Sequence, residues 1–249
     1  MNSRGGTTRR RALHWIAGSI AGVLPAATGL GGASAQTGNR RQVDLHLALA
    51  VDASGSVSQQ RFELQRQGYG EAFLNPRVLQ AIRSAPNGVI AVAMYQWTGP
   101  TMQAPVLAWR LIDDEAAIRE VSREILASRR HLFGGGTSVS GAIDYGADLF
   151  AESPFAGGRK VIDVSGDGAN NRGRSASVAR DEAVARGVNI NGLPILEVEP
   201  DLEDYYRNNV IGGPGAFVIA AETFEDFGNA ILRKLILEIA GLPAGAAPA

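Results

Sequence analysis

The 249-residue chain contains no cysteine. A disulfide framework and lipid attachment at a cysteine are therefore excluded. Histidine is almost as scarce, at His14, His46 and His131. A charge-relay hydrolase needs a histidine base, so that chemistry has little material to draw on. A basic excess is missing too, since 24 Lys and Arg face 25 Asp and Glu. General nucleic-acid binding requires a basic surface and is not expected. No uninterrupted apolar stretch is long enough for a permanent membrane span. Residues 13–30 come nearest, but glycines and Pro25 break them. No internal repeat is visible.

The beginning of the chain reads as a targeting segment. Arg4, Arg9, Arg10 and Arg11 occur there without an acid, a weakly apolar Ala/Gly-rich stretch follows, and Ala33-Ser34-Ala35 fits the small-residue rule for cleavage. This predicts a cleaved signal peptide over residues 1–35 and a periplasmic or secreted protein. Thr8-Arg9-Arg10-Arg11-Ala12-Leu13 also resembles the twin-arginine export pattern, with Ala12 where an aromatic is usual. An ordinary secretory signal with a basic start fits equally, so both routes stay open. Loss of four arginines leaves a net charge of about −5. Residues 36–42 form a polar lead-in, 43–240 suit one domain with a full core, and the Gly/Ala/Pro tail 241–249 is expected to fray.

Within the domain, strand and helix patterns alternate. Residues 43–51 begin with alternation and end as an apolar run, as a strand buried on both faces does. Residues 56–73 read as a helix, with Ser56 and Gln59 as a capping box and Asn75-Pro76 as its stop. A short helical piece follows over 77–84. Residues 88–97 are the next strand. Thr98-Gly99-Pro100 then turns the chain into a return strand, 104–112, which predicts an antiparallel edge. Helices are expected after Asp113-Asp114-Glu115 and over 139–151, a strand over 160–165, a helix over 175–186, a strand over 188–196 and a helix over 201–210. A last strand, 216–220, and a last helix, 224–240, complete the chain. The pattern predicts an α/β fold: a doubly wound, mainly parallel six-stranded sheet with one antiparallel edge strand and helices on both faces. Right-handed crossovers gather the strand-to-helix loops on one rim, where such sheets bind ligands.

Three of these loops carry oxygen donors. Asp52-Ala53-Ser54-Gly55-Ser56 ends the first strand, Gly134-Gly135-Gly136-Thr137-Ser138 precedes a helix, and Ser165-Gly166-Asp167-Gly168 ends a later strand. Two-residue spacing lets Asp52, Ser54 and Ser56 converge while the chain is still near-extended. Carboxylates and hydroxyls are hard donors that suit Mg²⁺, with Mn²⁺ or Ca²⁺ as alternatives, whereas zinc favours the His and Cys these loops lack. Two carboxylates and three neutral hydroxyls should leave such an ion attractive to an anionic oxygen from outside. Each residue also has a purely structural reading: Ser56 as a helix cap, Thr137 as the next cap beside a glycine hinge, and Asp167 as a turn residue.

Asp52-x-Ser54-x-Ser56, Gly135-Gly136-Thr137 and Asp167-Gly168, in this order and context, resemble the von Willebrand factor A (vWA) domain and its metal-ion-dependent adhesion site. The run from Val164 through Asn171 resembles a bacterial exported branch of that superfamily without an assigned function. The resemblance implies Ser54, Ser56 and Thr137 as hydroxyl ligands, Asp52 and Asp167 as direct or water-mediated ligands, and a protein partner whose Asp or Glu completes the shell. The expected function is an exported, non-catalytic protein-binding module. The alternative is a metal-assisted or serine hydrolase using the same loops, because Gly136-Thr137-Ser138 resembles the serine motif of subtilases. No lysine or second metal cluster lies near these loops to support phosphate chemistry. Tyr95 and Trp97 approach the rim and fit either a binding surface or a core cap. Arg172 and Arg174 fit either a guide for an acidic partner or solvated loop charges.

Overall fold

The computed structural model describes residues 40–242. The expected signal peptide over 1–35, residues 36–39 of the expected lead-in and 243–249 of the expected tail lie outside the described residues. Strands β1 (Leu45–Asp52), β2 (Ile90–Trp97), β3 (Gln103–Ile112), β4 (Arg159–Gly166) and β5 (Val188–Pro194) form one sheet in the order β3-β2-β1-β4-β5. All neighbouring pairs are parallel except β2 with β3. Helices α1 (Gln59–Leu74), α2 (Pro76–Arg83), α3 (Glu115–Ala127), α4 (Val139–Leu149), α5 (Ala176–Ala185), α6 (Leu202–Tyr205) and α7 (Phe227–Ala240) make the connections. The antiparallel edge follows from the short turn after Trp97, where Thr98 N–H donates to the Met102 carbonyl at 3.1 Å.

The parity of β1 sorts its neighbours. Leu45, Leu47, Leu49 and Val51 join a core with Phe62, Tyr69 and Phe73 of α1, Ile125 of α3 and Leu235 of α7. Ala48 and Ala50 point to the other face, against Ile143 and Ala147 of α4 and Ala179 of α5. Small residues on that face let α4 lie close to the sheet. Asp52 continues the same even-numbered series, so its carboxylate starts on the α4 side of the rim. Tyr95 and Trp97 are fully buried in this second core, and Tyr95 Oη donates to the Ala142 carbonyl at 2.7 Å. They cap the core and line no outer surface.

Two expectations need correction. The sheet has five strands among the described residues, not six. Segment 216–221 runs along β5 but makes only isolated bridges, Gly192 with Val218 and Ile195 with Ala221. A continuous ladder fails because Pro194 has no N–H to donate, and because the Asn191 side chain takes the Phe217 N–H at 3.0 Å. The first helix starts at Gln59, and its cap is Ser58, whose Oγ accepts Arg61 N–H at 3.2 Å. The Ser56/Gln59 capping box does not form.

The sheet and α7 are joined by a buried charge cluster. Lys234 Nζ lies 2.6 Å from Asp163 Oδ1 on β4 and 2.5 Å from Glu238 Oε1, all essentially without solvent contact. One ammonium serves two carboxylates, so burial and the neighbouring Glu238 push the Asp163 carboxyl well above its ordinary range. Removing the cation should leave buried charge uncompensated. Lys234→Met is expected to lower unfolding free energy by roughly 3–5 kcal/mol in urea denaturation. A variant within 1 kcal/mol of wild type, by about the error of that method, would show that the cluster contributes little.

Candidate functional site

Register builds the site. Val51 pairs with Ser165, so Asp52 and Gly166 end neighbouring strands side by side, and Asp167 follows one residue beyond. Asp52 Oδ1 accepts Ser54 N–H at 2.7 Å, and its Oδ2 lies 3.4 Å from Asp167 N. Ser54 Oγ and Ser56 Oγ are 3.2 Å apart, and Ser56 Oγ donates to Asp167 Oδ1 at 2.6 Å. Thus four of the five expected residues form one connected group. Asp52 and Asp167 are 0 % exposed, Ser54 1 % and Thr137 5 %, while Ser56 stands at the exposed lip. Burial this complete is foreign to a simple turn aspartate.

Thr137 is brought to the same rim by the loop before α4. Gly134, Gly135 and Gly136 have φ of 77°, 98° and 82°. Three consecutive left-handed residues are open to glycine and strained for other residues, which accounts for the triplet. The Asn171 Oδ1 accepts Thr137 N–H, and Asn171 N–H donates to the Thr137 carbonyl, both at 2.9 Å. Asn170 Oδ1 accepts Ser140 N–H at 3.0 Å. The Asn170-Asn171 pair therefore stitches the second loop to the third. The cap of α4 is Ser138, whose Oγ accepts Gly141 N–H at 3.1 Å. Thr137 Oγ1 is left without a hydrogen-bond partner among the described residues. The structural roles first open to Ser56 and Thr137 fall instead to Ser58 and Ser138.

Further side chains, not singled out by their sequence context, hold the loops. Arg130 Nη2 donates to the carbonyls of Ala53 and Ser54 at 2.9 and 3.1 Å. Gln65 Nε2 donates to the Asp52 carbonyl at 3.1 Å. Gln96 accepts His131 N–H at 2.7 Å and donates to the Arg129 carbonyl at 2.6 Å, tying β2 to the loop below. Arg174 pairs with Asp144 and Glu182 at 2.6 and 2.7 Å and serves the α4–α5 surface. Exposed Arg172 lies with its Cγ against Gly136.

The hydrolase alternative finds poor geometry. Ser138 is fully buried as a cap. His46 opens β1, roughly 20 Å of strand away from Asp52, and bonds Ser153 Oγ at 2.9 Å between Trp109 and Phe150. His131 is exposed and its backbone, through Gln96, is what anchors it.

Positive charge reaches the centre only from a distance, Arg61 acting on Asp167 and Arg130 on Asp52. No basic side chain bonds Asp52 or Asp167 among the described residues. Asp167 Oδ2 is buried without a hydrogen-bond partner, as are nearby Tyr206 Oη and Trp97 Nε1. Burial and the Asp167 charge push the Asp52 carboxyl up to about 7. Burial also raises Asp167, against the pull of Ser56 and Arg61. Among the described residues no group of three His, Cys, Asp or Glu side chains is poised around an ion. A cation here would rely on hydroxyls beside two carboxylates, and the orphaned carboxylate oxygen suits such an ion.

This arrangement, five-stranded sheet and rim loops together, defines a vWA-type fold. Structural neighbours agree. Proximal thread matrix protein 1 from the mussel byssus, with zinc in its MIDAS motif, aligns with a TM-score of 0.58 at 14 % identity, over 81 % of this chain and 49 % of that one. The pilus adhesin SpaC from Lactobacillus rhamnosus GG gives 0.56 at 15 %, over 82 % and 31 %. A von Willebrand factor type A protein from Catenulispora acidiphila gives 0.52 at 16 %, over 80 % and 43 %. The chain spans about half the length of the mussel protein. No curated protein matches its sequence. By sequence the chain belongs to the family described as "Protein of unknown function (DUF1194)", which matches residues 42–243.

The raised Asp52 carboxyl has a measurable consequence in chelator. Its pKa is about 7 folded against 3.8 as a free group, so the folded state holds the proton more tightly. The resulting stability is fully present below pH 3.8 and is lost as pH rises through 7. Asp163 shifts in the same direction, so the test is a difference. Asp52→Asn should gain on wild type by a few kcal/mol, in order of magnitude, between pH 5 and pH 8. Parallel pH–stability curves would refute the electrostatic account.

Proposed function

We propose that residues 43–240 form an exported, metal-dependent protein-binding module. A divalent ion, Mg²⁺ by the hardness of the donors and Mn²⁺ or Ca²⁺ as substitutes, is held by Ser54, Ser56 and Thr137, with Asp52 and Asp167 binding directly or through water. A protein partner's Asp or Glu completes the shell. The observation that carries this reading is the orphaned, buried Asp167 Oδ2 beside the buried Asp52 carboxylate, with no basic partner for either among the described residues. Two such groups are costly without a counter-charge. Zinc in the motif of the mussel protein supports a divalent ion and leaves its identity to measurement.

A protein ligand is favoured by the lip of the rim. Phe133, 68 % exposed, stands directly before the glycine triplet, and its ring is packed under the Arg130 guanidinium at 4.9 Å. Phenylalanine and arginine are both enriched in the cores of protein interfaces relative to the remaining surface. No helix among the described residues is long and apolar enough to cross a membrane. Export to the periplasm or beyond, by the general secretory or the twin-arginine route, is proposed from residues 1–35.

Thr137→Ala should weaken Mg²⁺ or Mn²⁺ binding roughly tenfold or more in calorimetry, with an unchanged melting temperature in chelator, since only the backbone of Thr137 carries hydrogen bonds. Equal affinities would remove Thr137 from the site, and no binding by either protein would remove the ion. For export, replacing Arg9, Arg10 and Arg11 by lysine blocks a twin-arginine route. Normal secretion of that variant leaves the general secretory route.

A further inference from the structure

A sixth oxygen-bearing side chain stands at this rim, from a fourth loop. Glu199 follows β5, and its Oε2 accepts Ala169 N–H at 3.0 Å, which fixes the carboxylate against the loop that carries Asp167. The other oxygen faces Gly168. A Cβ built at Gly168 would lie 3.3 Å from Glu199 Oε1 and 3.8 Å from Thr137 Oγ1. Those two oxygens therefore stand within about 7 Å of each other, the sum of those distances. Gly168 leaves the space between them open. Glu197, two residues earlier, is paired with Arg61, whereas Glu199 has no basic partner among the described residues. Its charge also reaches Asp167, whose carboxyl it helps to raise. The buried, unpartnered Asp167 Oδ2 is an independent sign that a ligand belongs at this centre.

We propose that Glu199 is an internal carboxylate that stands beside the open face of the bound cation, outside its ligand shell, and so sets how strongly that ion draws a carboxylate from outside. The inference rests on the cation reading above. Two carboxylates balance a dication, and a third makes the loaded site anionic. An anionic site holds the cation more tightly and repels an incoming carboxylate. Glu199 lies on the exposed side, held by the Ala169 N–H, while Asp52 and Asp167 are locked in the floor. The module thereby carries its own negative charge beside the position a partner's acid would take.

The test uses Mn²⁺ alone as the probe, followed by water-proton relaxation enhancement, on wild type, Glu199→Gln and Asp201→Asn. The last variant removes one charge from the same loop. Glu199→Gln is expected to bind Mn²⁺ about fivefold more weakly, the size of one exposed charge at short range. Acetate added to the Mn²⁺-loaded protein should then displace bound water at a lower concentration in Glu199→Gln than in wild type. Asp201→Asn should match wild type in both measurements. Unchanged Mn²⁺ affinity and an unchanged acetate midpoint in Glu199→Gln would overturn the role of Glu199 and leave the cation site standing. Equal effects of Glu199→Gln and Asp201→Asn would reduce it to bulk charge and overturn it too. Absence of Mn²⁺ binding in all three proteins would overturn the cation reading together with this one.

Discussion

Two carboxylates, Asp52 and Asp167, are buried at the ends of adjacent parallel strands, and much of the rim exists to hold them there. Neither has a basic partner among the described residues, and each is answered by hydrogen-bond donors: Ser54 N–H for Asp52, Ser56 Oγ for Asp167. The hydrogen bonds offset part of the desolvation cost, and the raised Asp52 carboxyl records what they leave. The backbone that presents the donors is itself clamped by Arg130 and Gln65, which take up the carbonyls of Asp52, Ala53 and Ser54. A tension of this kind, between two like charges in a poorly solvated floor, would be relieved by a dication, which is the ground on which a cation is proposed there.

The fold supplies this tension through parity and register. Leucines on one face of β1 anchor α1, α3 and α7, and alanines on the other admit α4 closely. With both faces filled, β1 cannot slip by one residue without turning its leucines and alanines to the wrong layers. Asp52 is therefore pinned beside Gly166. The Lys234 cluster plays a comparable part from below, joining β4 to α7 within the core. Above the floor the character changes. Ser56, Phe133 and Glu199 are exposed and belong to three different loops. A buried, hydrogen-bonded base with an exposed, mixed apolar and acidic lip suits recognition of another protein better than turnover of a small substrate. The burial of Ser138 and the distant position of His46 point the same way.

The strand-helix alternation, the antiparallel edge and the domain core were legible from residues alone, because apolar periodicity and short turns are local signals. That Asp52, Ser54, Ser56 and Asp167 meet at one rim, with Thr137 beside them, was legible because hard oxygen groups at strand ends have few packing roles; their use of a cation is a proposal. Local signals also misled. Ser56 and Ser58, like Thr137 and Ser138, are equally plausible caps by pattern, and backbone geometry awards the cap to the second of each pair. Segment 216–221 has the composition of a strand, but Pro194 and the Asn191 side chain break its ladder. Tyr95 and Trp97 near a strand end gave no hint of which way they face until β2 was placed centrally enough to be covered on both sides.

Sequence by itself determined the donor types, their order along the chain and the loops that carry them, since these depend on residue identity and on patterns within a few turns of backbone. Only the tertiary structure decided what meets. It set the side-by-side ends of β1 and β4, the stitching of Thr137 by Asn171, the isolation of Asp167 Oδ2 and the approach of Glu199 from a fourth loop. Those contacts join residues more than a hundred positions apart in the case of Asp52 and Asp167. They are set by strand register and crossover packing, which no local stretch of chain encodes.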